Sequence, residues 1–253
     1  MLKAVEKVLE LVRKQTGYPV TVTNMPGIKM HSTLRTASAV SPAHVILLNP
    51  AYERSGNYLT ALNAATILVK WADPQRVPDF YQAGEAVEAA VKTLSGDERL
   101  RGEGMADART CAETLCHLLL QHLSSLPVVM IAADWCYRNF PELEEEQRVQ
   151  VRQELREASA CLTKEVRERT PEFIFSKSAV MNAAYAAWWA ALAEDTQALL
   201  PYEFFGFKED GMRLYGKTLG GFTDNPNRYC EVIDSWAEEL GLRTWYTWQF
   251  RQG

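Results

Sequence analysis

The chain has 253 residues and a formal net charge of −5, long enough for a substantial buried core and without the basic footprint of a nucleic-acid-binding surface. Hydrophobic residues make up 47% and charged residues 23%, the balance of an ordinary globular protein, and no run of about 18 residues is apolar throughout and uncharged, so no membrane-spanning helix is expected. The five cysteines, Cys111, Cys116, Cys136, Cys161 and Cys230, are odd in number and form no CxxC pair, which fits reduced thiols in a cytoplasmic chain rather than a disulfide framework.

Residues 2–16 are charged throughout and place Leu2, Val5, Val8, Leu9, Leu11 and Val12 at spacings near three and four. That pattern predicts an amphipathic helix, ended by Gly17 and Pro19, with none of the apolar block of a signal peptide. "YPVTVTN" alternates and is rich in β-branched residues, so a strand is expected at 18–23. "MPG" makes a turn, "IKMHSTLRTAS" alternates in part and reads as a second strand, and "HVILLN" (44–49) is a short continuous apolar strand suited to the centre of a small sheet. After Pro50 helices are expected at 56–72, 79–94, 106–124, 128–138, 143–169, 177–198 and 227–240, with prolines between them. The fold class is α+β: an α/β part over residues 1–75, then a mainly helical body over 76–253, the two forming one compact unit.

Three segments carry packing information. "NAAYAAWWAALA" (182–193) predicts a buried helix whose small residues admit a close neighbour. The tail "LRTWYTWQF" should dock, because Trp245, Tyr246, Trp248 and Phe250 left in water would form a large apolar patch; the alternative is a patch for a partner. Residues 141–169 interleave charges, with Glu144–Arg148, Lys164–Glu168 and Glu165–Arg169 at i,i+4, which reads as one long helix with a solvated face. "LSGDERLRGEGMAD" (94–107) reads as a loop. "KTLGGFTDNPNRY" reads as a turn entering a helix, with Asp224 as N-cap and room for a ligand loop.

The helix "YLTALNAATILVKW" follows the apolar strand directly. Its polar positions Thr60, Asn63, Thr66 and Lys70 form one stripe that either faces solvent or lines a cleft. "HVILLNPAYERSGNYLTALNAATILV" resembles the strand-to-active-helix region of ImmA/IrrE-like zinc metallopeptidases. Tyr58 takes the aromatic position of that helix, Ala61 the alanine before the motif and Ile67-Leu68 the apolar pair after it. The resemblance covers about the first 75 residues and implies a zincin-like scaffold. It departs from the family at the residues that do chemistry. HExxH sets two histidines on one helix face to hold zinc, with the glutamate as general base on the metal-bound water. Here Leu62 and Thr66 stand at the histidine positions and Asn63 at the glutamate position. A third ligand in such proteins comes from a downstream helix, where Asp134 is the candidate.

No replacement motif is evident. "CAETLCHLLLQHL" (111–123) holds Cys111, Cys116, His117 and His122, but residues five apart do not share a helix face; Glu113 and His117, four apart, do. Two ligands do not make a zinc site. There is no G-x-S-x-G, no P-loop and no G-x-G-x-x-G after a strand. The expectation is therefore a catalytically inactive zincin-like protein with no metal and no cofactor, which binds a protein partner or a small ligand and neither nucleic acid nor membrane. The resemblance implies bacterial or phage-associated relatives that act beside regulatory proteins. The alternative is an enzyme of another class, using His44, Glu113 or His117 as acid–base groups in a cleft between the N-terminal part and the helical body.

Overall fold

The computed structural model describes residues 1–38, 40–72, 76–83, 85–94, 96–101, 108–219 and 228–252. The N-terminal part is helix α1 (Lys3–Thr16), strands β1 (Val20–Asn24), β2 (Ser32–Arg35) and β3 (His44–Leu48), and helix α2 (Gly56–Lys70). Then come β4 (Arg76–Gln82), α3 (Ala86–Leu94), α4 (Ala108–Asn139), α5 (Glu144–Ala160), α6 (Lys164–Arg169), α7 (Glu172–Ala193), α8 (Leu200–Phe204), α9 (Lys208–Thr218), α10 (Arg228–Leu240) and β5 (Tyr246–Gln252). The architecture is α+β, with a small N-terminal sheet and a larger helical body.

The continuous apolar run of β3 suits a strand covered on both faces, and β3 is the centre of a three-stranded sheet in the order β1–β3–β2. β1 runs parallel to it with Val22 opposite Ile46, and β2 antiparallel with Leu34 opposite Ile46. α1 buries Val5, Val8 and Val12, the positions its periodicity set apart, and packs on α2. Gly17 closes α1 at φ 75°, a left-handed conformation open to glycine at little cost, with its N–H donated to the Arg13 carbonyl at 3.0 Å.

α7 is the axis of the helical body and is buried on nearly every side, as its alanine-rich sequence predicts. Gly211 of α9 crosses it so closely that a Cβ there would overlap the Ala183 side chain and lie 2.7 Å from the Ala183 carbonyl carbon. Trp188 and Trp189 are both fully buried, Trp188 stacked on Tyr185 and Trp189 edge-on to Tyr137.

Several expected elements are corrected. The first residues of the 79–94 helix are strand β4, because "VPDFYQ" pairs antiparallel with the C-terminal tail, Phe80 opposite Trp248; only Ala86–Leu94 is helical. α4 is one helix of 32 residues with Pro127 inside it. Proline removes one intrahelical bond and costs about 3 kcal/mol, which packing against α2, α3, α7 and α10 outweighs. Of the 143–169 helix, the structure makes α5 and α6, parted where Leu162 turns into the core and Thr163 caps α6 by accepting from Val166 N–H at 3.2 Å. The helix expected at 177–198 starts earlier, at Glu172, and ends at Ala193, capped by Glu194 at φ 55°; α8 and α9 had no expected counterpart. The three i,i+4 ion pairs form, Arg148–Glu144 at 2.8 Å, Lys164–Glu168 at 3.6 Å and Arg169–Glu165 at 3.1 Å. The tail docks in part: Trp245 and Tyr246 are buried, Trp248 is half-buried and Phe250 is 43% exposed. Among the described residues one helix, Arg109–Asn139, is long and apolar enough by length and composition to cross a membrane; half of its most apolar stretch is buried inside the fold. The turn at 220–227, with Gly220-Gly221 and Asp224, and half of the loop at 94–107 lie outside the described residues.

Candidate functional site

The polar stripe of α2 does not face solvent. Thr60 is buried and donates to the Gly56 carbonyl at 2.7 Å. Asn63 donates to Ser32 Oγ of β2 at 2.8 Å and to the Leu59 carbonyl at 2.7 Å. Leu62 belongs to the core, and Thr66 is half-buried. Asp134 is buried elsewhere: it accepts from the Arg138 guanidinium at 2.6 and 3.1 Å and shares a shallow cavity of about 510 Å³ with Tyr137, Leu192 and Tyr215. The structure thus ties Asn63 to β2 and Asp134 to its own helix, with no bond from Asp134 to Leu62, Asn63 or Thr66.

Beside Ser32, where α2, β2, α5 and α7 meet, lies a polar cluster that sequence reasoning missed. His31 sits with its ring 4.1 Å from that of Tyr52. Its Nε2 reaches Glu157 at 2.9 Å, and its Nδ1 faces Glu154 at 3.4 Å and the amide nitrogen of buried Gln150 at 2.5 Å. An amide N–H can only donate, so Nδ1 accepts from it and the neutral ring carries its proton on Nε2, donated to Glu157. Glu154 also accepts from Gln150 at 2.8 Å and from the Tyr185 hydroxyl at 2.6 Å. Burial opposes charge on His31, but Glu154 and then Glu157 outweigh it and hold the imidazole above its ordinary value. Burial raises the phenols of Tyr58 and Tyr185, and the charge of Glu154 raises both further. One signal could have found this cluster. Gln147, Gln150, Glu154 and Glu157 recur at spacings of three, four and three on one face of α5, and Gln147 and Gln150 are fully buried. The regular charge pairs of that segment pointed to a solvated helix instead.

The expected acid–base residues separate. His44 is fully buried: Nδ1 accepts from Ala37 N–H at 3.1 Å, and Nε2 meets Thr16 Oγ1 at 3.2 Å, whose hydroxyl passes on to the Val12 carbonyl at 2.9 Å. Burial lowers its pKa to about 4. It is a neutral structural imidazole that joins α1, β3 and, by an edge contact to Trp71 at 5.0 Å, the end of α2. Glu113 is bound by Arg109 at 3.0 Å on the outside of α4. His117 is exposed, one turn further along α4, and lines a cavity.

That cavity holds about 380 Å³ and lies between the N-terminal part and the helical body. Thr36, Lys70 and Trp71 come from the N-terminal part; Val77–Gln82 of β4 and Trp248 of β5 form one wall; His117, Leu120, Gln121 and Ser124 of α4 form the floor, closed by Tyr229 and Ile233 of α10. The aromatic wall is held in place. Phe80 stacks on Tyr246 and stands edge-on to Trp248 at 5.3 Å. Asp234 of α10 accepts from Trp248 Nε1 at 2.9 Å and from the Tyr246 hydroxyl, which fixes the indole. Burial and then the bond to Asp234 raise the Tyr246 phenol, so it stays protonated and donating. Among the described residues no three His, Cys, Asp or Glu side chains are grouped to hold a metal ion. No family model, no curated protein and no solved structure matches the chain.

Proposed function

We propose that the protein is a non-catalytic binding protein on a zincin-like N-terminal scaffold, and that it takes a small organic ligand in the cleft above α4. The observation that carries this reading is the cleft itself. It has the volume of a small-molecule site, about 300–1,000 Å³, and mixes fixed rings with a few polar groups. Two further features support it. The α2 positions that would carry zinc and base are Leu62, Asn63 and Thr66, and the Asn63 amide is spent on Ser32 and Leu59. Of the acid–base groups expected in the cleft, His117 alone lines it, while Glu113 is held by Arg109 and His44 is sealed in the core.

The test is a titration of the native chain with 8-anilinonaphthalene-1-sulfonate, followed by fluorescence and calorimetry. One site per chain is expected, lost in Ser124→Phe, which fills the cleft from a half-buried position. Binding that survives Ser124→Phe in the folded variant would place the probe elsewhere. One equivalent of zinc retained after dialysis against a weak chelator, or peptide hydrolysis by the purified chain, would overturn the non-catalytic half.

A further inference from the structure

Resting on the cleft reading, the geometry points to a ligand class: an uncharged nitrogen heteroaromatic of one or two fused rings, bound by its face against the Trp248 wall and by its edge on glutamine amides. The wall supplies the face. Trp248 is locked by its N–H bond to Asp234 at 2.9 Å, so a ring docks on a surface that is already rigid and loses little freedom in the act. Trp71, itself buried, lines the cleft from the N-terminal part, with its indole edge-on to buried His44. Stacking on such surfaces tolerates any flat π-system and does not select one.

The amides supply selection. Gln82 and Gln121 line the cleft from β4 and α4, and each carboxamide offers a donor and an acceptor side by side. The Gln82 amide spends one N–H on the soft Cys116 sulfur at 3.8 Å, which leaves its oxygen and second N–H for a ligand. An adjacent donor and acceptor pair matches the edge of a heterocycle carrying a ring nitrogen beside an amino or keto group, the way glutamine reads adenine in nucleic acids. Among the described residues the formal charges of the lining are one lysine, Lys70, and one aspartate, Asp79, with no arginine. Those residues therefore supply no bidentate guanidinium fork of the kind that serves phosphate and carboxylate ligands, and their charges balance as a neutral ligand requires.

The experiment titrates the full chain with adenine, hypoxanthine and nicotinamide, with adenosine monophosphate and indole as controls, by tryptophan fluorescence and calorimetry. At least one of the three heterocycles is expected to bind one per chain. Gln121→Leu, at an exposed helix position, should weaken it about ten-fold, as should Trp248→Leu, with the fold of each variant checked by circular dichroism. The nucleotide binding ten-fold or more tighter than adenine would show an anion site, and indole binding as tightly as the heterocycles would show that the edge is not read. Either result overturns the assignment, as does heterocycle binding indifferent to Gln121→Leu, or no heterocycle binding by a chain whose cleft takes the probe. If the probe also fails to bind in the cleft, the broader reading falls with it.

Discussion

Two regions invite a ligand, and they differ in what their polar groups are doing. At the junction of α2, β2 and α5, His31, Gln150, Glu154, Glu157 and Tyr185 are bonded to one another, and Asn63 to Ser32. In the cleft, rings are fixed by bonds behind the wall, such as Trp248 to Asp234, and they line about 380 Å³ of space. A buried polar group costs free energy unless it is paired. Most polar groups of the first region are spent on each other and cement it, although the buried Gln150 Oε1 has no hydrogen-bond partner, whereas rigid rings backed by hydrogen bonds make a site. Asn63 of α2, bonded to Ser32, borders the first kind of region, and the cavity belongs to the second.

The comparison breaks most severely at the tail. Deleting residues 243–253 removes β5, the partner of β4, together with buried Trp245 and Tyr246. At about 1.5–3 kcal/mol for each large side chain, the loss should reach roughly 3–6 kcal/mol and lower the melting temperature by roughly 6–24 °C for a chain of this size. Calorimetry on the deletion variant checks this, and an unchanged melting temperature would mean that the cleft wall is a loose flap.

The core imidazole gives the next effect. The folded pKa of His44 is lowered to about 4, so between the ordinary imidazole value and pH 4 the unfolded chain binds a proton that the native chain does not. Stability present above about pH 6.5 should be lost as pH falls through that window, on the order of 3 kcal/mol at most from this group. Urea unfolding of wild type and His44→Leu between pH 7 and pH 4 should show a shallower acid loss in the variant, though the variant is the less stable at pH 7 because the Ala37 N–H loses its acceptor.

Tyr185→Phe tests the cementing role of the polar cluster. It deletes the hydroxyl that donates to Glu154 at 2.6 Å and should cost about 1.5–3 kcal/mol, the range for bonds to charged groups, with no change in probe binding at the cleft. A variant of wild-type stability with weakened probe binding would reverse the roles assigned to the two regions.

The smallest effect has the opposite pH sign. His31 is held above its ordinary value, by Glu154 and Glu157 against the opposition of burial, so its contribution is fully present below the unfolded imidazole pKa and is lost as pH rises through the folded one. Glu157 is half exposed, which limits the pair to less than about 1 kcal/mol. Nuclear magnetic resonance titration of the His31 ring should give a value above that of a free imidazole, falling in Glu157→Gln; a value at or below the free imidazole would discard the pair.

Local pattern determined much of this protein. The valine spacing of α1, the alternation of β1, the unbroken apolar run of β3, the alanine-rich α7 and the i,i+4 charge pairs of α5 and α6 each follow from periodicity, which needs only neighbours a turn or two away. What tertiary structure decided was every feature whose partner is remote in sequence. β4 reads as a helix until Tyr246–Gln252 arrives to pair with it. Pro127 reads as a helix end until packing against its neighbours carries α4 on through it. His44 became a sealed core imidazole through Ala37, Thr16 and Trp71. His31, invisible as a single residue before a strand, acquired its environment from α5, more than 100 positions later. Hydrogen bonds and ring contacts of that kind act over a few ångströms in space whatever the separation along the chain, so the sequence carried their residue types without their juxtaposition.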